Sequence, residues 1–187
     1  MSIVLDGTTG VTTPGLSSTS NATVTGTLGV TGTFTPGQTT GIVGTTTNNS
    51  AQAGSVGEYV EGVLVGGSAT ALTTNTAKTL VSISLTAGDW DVFGMVGVQP
   101  NPSAVYSYTV ASASPTNNTL DTNTTNLVSH TQYPAATIST TTTDPRIALS
   151  TVRVSLASTT TYYLVVQSGF TVSSCLGYGR ISARRVR

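Results

Sequence analysis

VSISLTAGDWDVFGMVGVQ, residues Val81 to Gln99, is the stretch whose reading decides the fold. Val81, Ile83 and Leu85 alternate with Ser82, Ser84 and Thr86, the period-two pattern of a half-buried strand. Ala87-Gly88-Asp89 interrupts that run with turn chemistry. From Trp90 the pattern resumes, with Trp90, Val92, Gly94, Val96 and Val98 on one face and Asp91, Phe93, Met95 and Gly97 on the other. A strand apolar on both faces is expected to be covered on both sides. Trp90–Val98 is therefore read as the centre of a β-sandwich, one tight turn after the strand before it.

The composition agrees. The chain has 187 residues, room for one domain and an extension. Charged residues make up only 7%, and threonine, with 39 copies, is the commonest residue. Threonine is β-branched and suits strands, while the long charged residues of soluble helices are scarce. The net charge is zero and 37% of residues are hydrophobic, which argues against ordinary disorder. No apolar run approaches the ~18 residues that a membrane-spanning helix needs. Asp6 and Gly7 interrupt the short Ile3-Val4-Leu5 run, so the expectation is a protein not routed by a standard signal peptide.

Downstream of Gly57 the strand candidates are Glu58–Val65, Lys78–Leu85, Trp90–Val98, Val105–Ala111, Ala135–Ser139, Ile147–Leu156, Tyr162–Val166 and Cys175–Val186. Turn clusters such as Pro100-Asn101-Pro102 separate them. About eight strands at this spacing, without a helical window, predict a sandwich or jelly roll. Ser112–Pro134 reads as an exposed loop with one edge strand at most.

Upstream the character differs. Ala22–Phe34 places Ala22, Val24, Gly26, Leu28, Val30, Gly32 and Phe34 on one face and threonines with Gly29 on the other. VTGTL at Val24–Leu28 is echoed by VTGTF at Val30–Phe34. Extended, this stretch would reach about 43 Å at roughly 3.3 Å per residue. A lone strand of that length cannot hide its apolar face or satisfy its backbone. Several copies wound together can, with Val24, Leu28, Val30 and Phe34 as the shared core of a shaft. The competing reading, a Gly/Thr-rich linker, gives no reason for unbroken alternation. In Met1–Gly15, Ile3, Val4 and Leu5 form an apolar triplet with no adjacent strand to shield it, which suits strand addition to a partner. The expected division is residues 1–53 as attachment segment and short shaft, and 54–187 as knob.

Chemistry-bearing residues are few. One cysteine, Cys175, and one histidine, His130, cannot form an intrachain disulfide or a structural zinc site. Cys175 is expected to be a small buried residue at a strand start. Four sequons, at Asn21, Asn48, Asn117 and Asn123, are what chance supplies in a chain so rich in Thr and Asn. Asp89 and Asp91 flank Trp90 and could meet on one face around an ion; the simpler reading is a capped turn with solvated carboxylates. Glu58 and Glu61 fall on opposite faces and do not form a pair. A Ser-His-Asp triad would need His130, which lies in the most loop-like segment. These patterns predict no enzymatic activity and no cofactor or metal. Four of the seven basic residues lie in Gly179–Arg187, but without aromatics between them for base stacking. They are expected to pair with carboxylates rather than bind nucleic acid.

SIVLDGTTGVTTPG at the start, TVTGTLGVTGTF, LTAGDWDV, and YYLVVQ with GYGRISARRVR at the end together resemble small tailed-bacteriophage virion proteins of the tail fibre, head fibre and capsid decoration type. The resemblance touches both ends and the middle of the chain. It implies a homotrimer with an N-terminal attachment segment contacting capsid or tail proteins, a short β-structured shaft and a C-terminal jelly-roll knob similar to trimeric complement-type and tumour-necrosis-factor-type domains. It implies an external position on the virion and no defined receptor. Two roles follow: a short fibre whose knob touches a host-surface glycan or protein, or a decoration protein that stabilises the head. Tyr106, Tyr108, Asn117, Asn118, His130 and Tyr133 are the candidate contact residues.

Overall fold

The computed structural model describes residues 23–35, 46–122, 129–137 (backbone only) and 144–187. By its internal contacts the chain divides into two units, Met1–Thr47 and Asn48–Arg187.

The second unit is all-β. Its strands are β1 (Tyr59–Leu64), β2 (Thr70–Ala71), β3 (Lys78–Leu85), β4 (Gly88–Pro100), β5 (Val105–Ser114), β6 (Ser129–Thr137), β7 (Arg146–Leu156), β8 (Thr160–Thr171) and β9 (Cys175–Arg185). Sheet I has the order β1-β9-β4-β7, with the two-residue β2 also on β9; sheet II has the order β3-β8-β5-β6. Every pairing is antiparallel.

Leaving β2 aside, the pairs β1·β9, β3·β8, β4·β7 and β5·β6 are nested. The chain is one long hairpin with β5 and β6 at its tip. Rolling that hairpin sets β9 beside β4 and β8 beside β5, which completes two four-stranded layers. This is the jelly roll, as the strand spacing predicts.

The layers meet over one core. Sheet I contributes Trp90, Val92, Val96, Val98, Ile181 and Ala183, and sheet II contributes Leu80, Ile83, Leu85, Tyr106, Leu164, Val166 and Phe170. Trp90 lies in a central strand and is fully buried, with its Nε1–H donating to the Thr86 carbonyl at 2.9 Å. Cys175 opens β9 and is buried.

The strands either side of Ala87-Gly88-Asp89 belong to different sheets, β3 to sheet II and β4 to sheet I, so the turn carries the chain between layers. Gly88 makes that crossing at φ 140°, where a side chain is disfavoured, and the Arg185 guanidinium fills the place a Cβ would take. β4 is covered on one face only. Trp90, Val92, Val96 and Val98 face sheet II, whereas Phe93 and Met95 stay half-buried on the outer side. Within Ser112–Pro134 the edge strand that the sequence allows is β6, which begins at Ser129 and pairs with β5 at the edge of sheet II, and β5 itself runs on to Ser114.

In the first unit, Thr23–Thr35 forms no strand; it bends at Thr25-Gly26 and again at Thr31-Gly32. The expected continuous strand over Ala22–Phe34 is thus absent from the described part. The reason is elementary: a strand needs a neighbour to bond to, and no described residue pairs with Thr23–Thr35. The six-residue echo survives as a repeated bend.

Candidate functional site

A polar cluster of the knob gathers where β1 begins, β4 begins and the C-terminus ends. Alternation along β9 turns Arg185 inward while Arg184 faces out. Arg185 Nε donates to Glu58 Oε2 at 2.9 Å, and its Nη1 donates to the Ala87 carbonyl at 2.9 Å. Its other terminal nitrogen reaches the Thr86 hydroxyl. The guanidinium also sits 4.3 Å from the Trp90 ring centroid, a cation–π contact in a dry setting. Glu58 accepts a second hydrogen bond from the Gly54 amide at 2.7 Å. Burial pushes the Glu58 carboxyl up, but the Gly54 amide and Arg185 outweigh it and hold it below its ordinary value. Next to this pair, Asp89 takes Arg153 Nε at 2.9 Å and Arg187 Nε at 2.7 Å. The Arg153 hydrogen bond is the main cause that holds the Asp89 carboxyl low.

The solvated-carboxylate reading of Asp89 is therefore corrected: Asp89 is buried and doubly ion-paired. A carboxylate shielded from water needs a charged partner, and β7 and the C-terminus bring Arg153 and Arg187 to Asp89. Asp91 lies opposite Arg184 on β9 and Arg153 on β7. The expected pairing of C-terminal arginines with carboxylates of the same chain is observed at Glu58, Glu61 and Asp89.

This cluster is a clasp. Carboxylates held ionised by arginines are poor general acids near neutrality. The Cys175 thiol is pushed up to about 12 by burial, so it stays a thiol and a weak nucleophile. Among the described residues, no three His, Cys, Asp or Glu side chains stand together as a metal site.

Of the candidate contact residues with described side chains, Tyr106, Tyr108, Asn117 and Asn118, not all reach the surface. Tyr106 is a correction: it is fully buried, and its hydroxyl shares a hydrogen bond with the Thr109 hydroxyl. The bulge that follows Tyr106 in β5 puts Tyr106 inward and leaves Tyr108 half-exposed. The Tyr108 hydroxyl donates to Asn75 Oδ1 at 2.8 Å and accepts from Gln167 Nε2 at 2.9 Å. Neither amide stands near Tyr108 in sequence, and no local pattern singles them out. Asn117 and Asn118 are exposed. Asn118 is also a latch: its Oδ1 accepts from the Thr79 amide and its own amide donates to the Thr79 hydroxyl, both at 2.8 Å. Residues 130 and 133 lie in β6, with His130 opposite Val110.

Val24, Leu28, Val30 and Phe34 are between 49% and 64% exposed. Ile3, Val4 and Leu5 lie outside the described residues.

No protein-family model and no curated protein matches this sequence. Among solved structures, the chain is similar to one described as the structure of infectious bursal disease virus Gx strain, with a TM-score of 0.40 and 11% identity. That match covers 78% of this chain and 37% of the other. A second, the 2.6 Å structure of T=1 particles derived from infectious bursal virus, has a TM-score of 0.31 and 12% identity over 78% of this chain and 36% of the other. The chain spans little more than a third of the length of these two proteins.

Proposed function

We propose that the protein is a non-enzymatic structural component of a bacteriophage virion: a short three-copy fibre on the particle's exterior, anchored by its N-terminus and displaying the jelly-roll knob toward the host surface. The observation that carries this reading is the apolar set Val24, Leu28, Val30 and Phe34, exposed on a backbone that bends at Thr25-Gly26 and again six residues on at Thr31-Gly32. Apolar side chains repeated at a six-residue spacing and left exposed among the described residues call for further copies as cover. Ile3-Val4-Leu5 would then dock on capsid or tail protein by strand addition, three weak attachments reinforcing one another through effective concentration. Before Glu58 the only charge is Asp6, so this docking rests on burial and backbone pairing and tolerates salt.

Removing Met1–Thr13 tests the anchor. The truncated protein is expected to remain a folded trimer and to lose its association with particles lacking the native protein. Equal occupancy by the truncated and full chains would place attachment in the knob and reverse the orientation.

One observation favours a capsid decoration role as the second reading. The patterned shaft is only about 13 residues, about 43 Å even if fully extended at roughly 3.3 Å per residue, short for reaching a distant receptor. Immunogold labelling of intact virions separates the two: label over the head face favours decoration, label at the tail tip favours the fibre.

A further inference from the structure

β4 is apolar on both faces, and the fold covers only one. On the outer face of sheet I the backbone register sets Val63, Arg180 and Met95 in one row, Glu61, Ser182 and Phe93 in the next, and Tyr59, Arg184 and Asp91 in a third. Tyr59 is 40% exposed and Val63 51% exposed, and Phe93 and Met95 are half-buried. The chain owns three phenylalanines and two methionines. It spends one of each here, where an antiparallel sheet facing water would carry polar residues.

We propose that this outer face of sheet I is the surface through which copies of the chain pack against one another at the knob. The inference rests on the three-copy reading above and adds the surface that holds the knobs together.

Three observations identify the occupant as another copy. Tyr, Phe, Met and Arg are the residues enriched at protein–protein interfaces, and Tyr and Arg are among the frequent hot spots. The charges of the three rows balance in number: Arg180 stands 3.6 Å from Glu61, which also accepts the Tyr59 hydroxyl at 2.6 Å, and Arg184 lies opposite Asp91. Rows without net charge fit a surface as neutral and apolar as themselves. Finally, the same chain leaves Val24, Leu28, Val30 and Phe34 uncovered. Copies joined along that segment hold their knobs at high mutual concentration, and β1, which bears Tyr59 and Val63, is the first knob strand to follow it in the chain.

The test uses the full chain. Light scattering after gel filtration should give three times the 18.9 kDa chain mass. Val63→Glu and Met95→Lys should each weaken association by about ten- to a hundredfold, as truncating a hot spot does, and so shift the mass toward monomer on dilution. Val172→Glu, at a position 80% exposed and off this face, should leave the trimer intact. A parent trimer whose mass is untouched by both substitutions would overturn the interface and leave the three-copy reading standing. A monomeric parent would overturn both. If the variants fail to fold, hydroxyl-radical footprinting of the parent decides. Tyr59 and Met95 should be modified several-fold more slowly at concentrations that keep the trimer than after dilution to monomer. Equal rates would overturn the interface.

Discussion

Trp90 joins three kinds of interaction in one side chain: core packing between the sheets, an indole hydrogen bond to Thr86, and the face on which Arg185 rests. Its replacement by alanine leaves a cavity between the layers and a buried arginine without its aromatic partner. The expected loss is about 3–5 kcal/mol, a large share of a domain's net stability. Thermal or urea unfolding of Trp90→Ala measures it, and a midpoint within a few degrees of the parent would refute the central role. Glu58 makes a second residue-scale prediction. Its carboxyl is held below its ordinary value in the folded state, so the unfolded chain takes up the proton first. The stability this supplies is complete above the unfolded value of about 4.3 and is lost as pH falls through the lower folded value. Melting temperature should hold level from neutrality to about pH 5 and decline below about pH 4. Glu58→Gln should melt lower than the parent at neutral pH, with the difference narrowing in acid. A difference that widened in acid would contradict the clasp.

At the scale of elements, sheet I depends on close approach between β4 and β9. Gly94 faces Ile181 across this pair, and a Cβ there would stand 2.5 Å from the Arg180 carbonyl oxygen. That oxygen belongs to the backbone and cannot swing aside. Gly94→Ala is therefore expected to destabilise the knob by about 1–3 kcal/mol, as overpacking does. Gly67→Ala, where a Cβ meets nothing within 4 Å, should cost far less. Chemical denaturation of the two variants side by side checks the contrast. The alternation in Val81–Leu85 and Trp90–Val98 is enough to read the two strands, because side-chain period follows directly from backbone geometry. It does not say that they part into different sheets. The short β2 is also missed, since two residues carry no period. β6 is obscured by its Asn- and Thr-rich approach, and its partner β5 is what makes it a strand.

At the scale of the whole molecule, the division between units bears on where the knob can be cut. The first knob strand is preceded by a hydrogen-bonded turn in which the Ser55 amide donates to the Gln52 carbonyl and Gly54 donates to Glu58. A fragment comprising Asn48–Arg187 is expected to fold alone, since it holds the complete core. A fragment starting at Ser55 should fold too, but melt lower, because Glu58 loses the Gly54 amide. Circular dichroism and thermal melts of both fragments test this, and a disordered spectrum from the longer one would refute the two-part organisation.

The sequence by itself determined the all-β character, the central place of Trp90, the burial of Cys175 and the fate of the C-terminal arginines. All of these follow from local rules: side-chain alternation, β-branched composition and the need to pair charge. Tertiary structure alone decided the rest. Asp89 and Tyr106 read as exposed because their neighbours in sequence are turn-like or polar, yet one is enclosed by Arg153 and Arg187 and the other is turned inward by a bulge. Asn75 and Gln167 meet Tyr108 only through the pairing of distant strands. The outer face of β4 shows the limit most plainly. Its alternation states that Phe93 and Met95 share a side, but which side has cover depends on where the rolled hairpin lays its second sheet, and that is set by contacts between residues far apart in the chain.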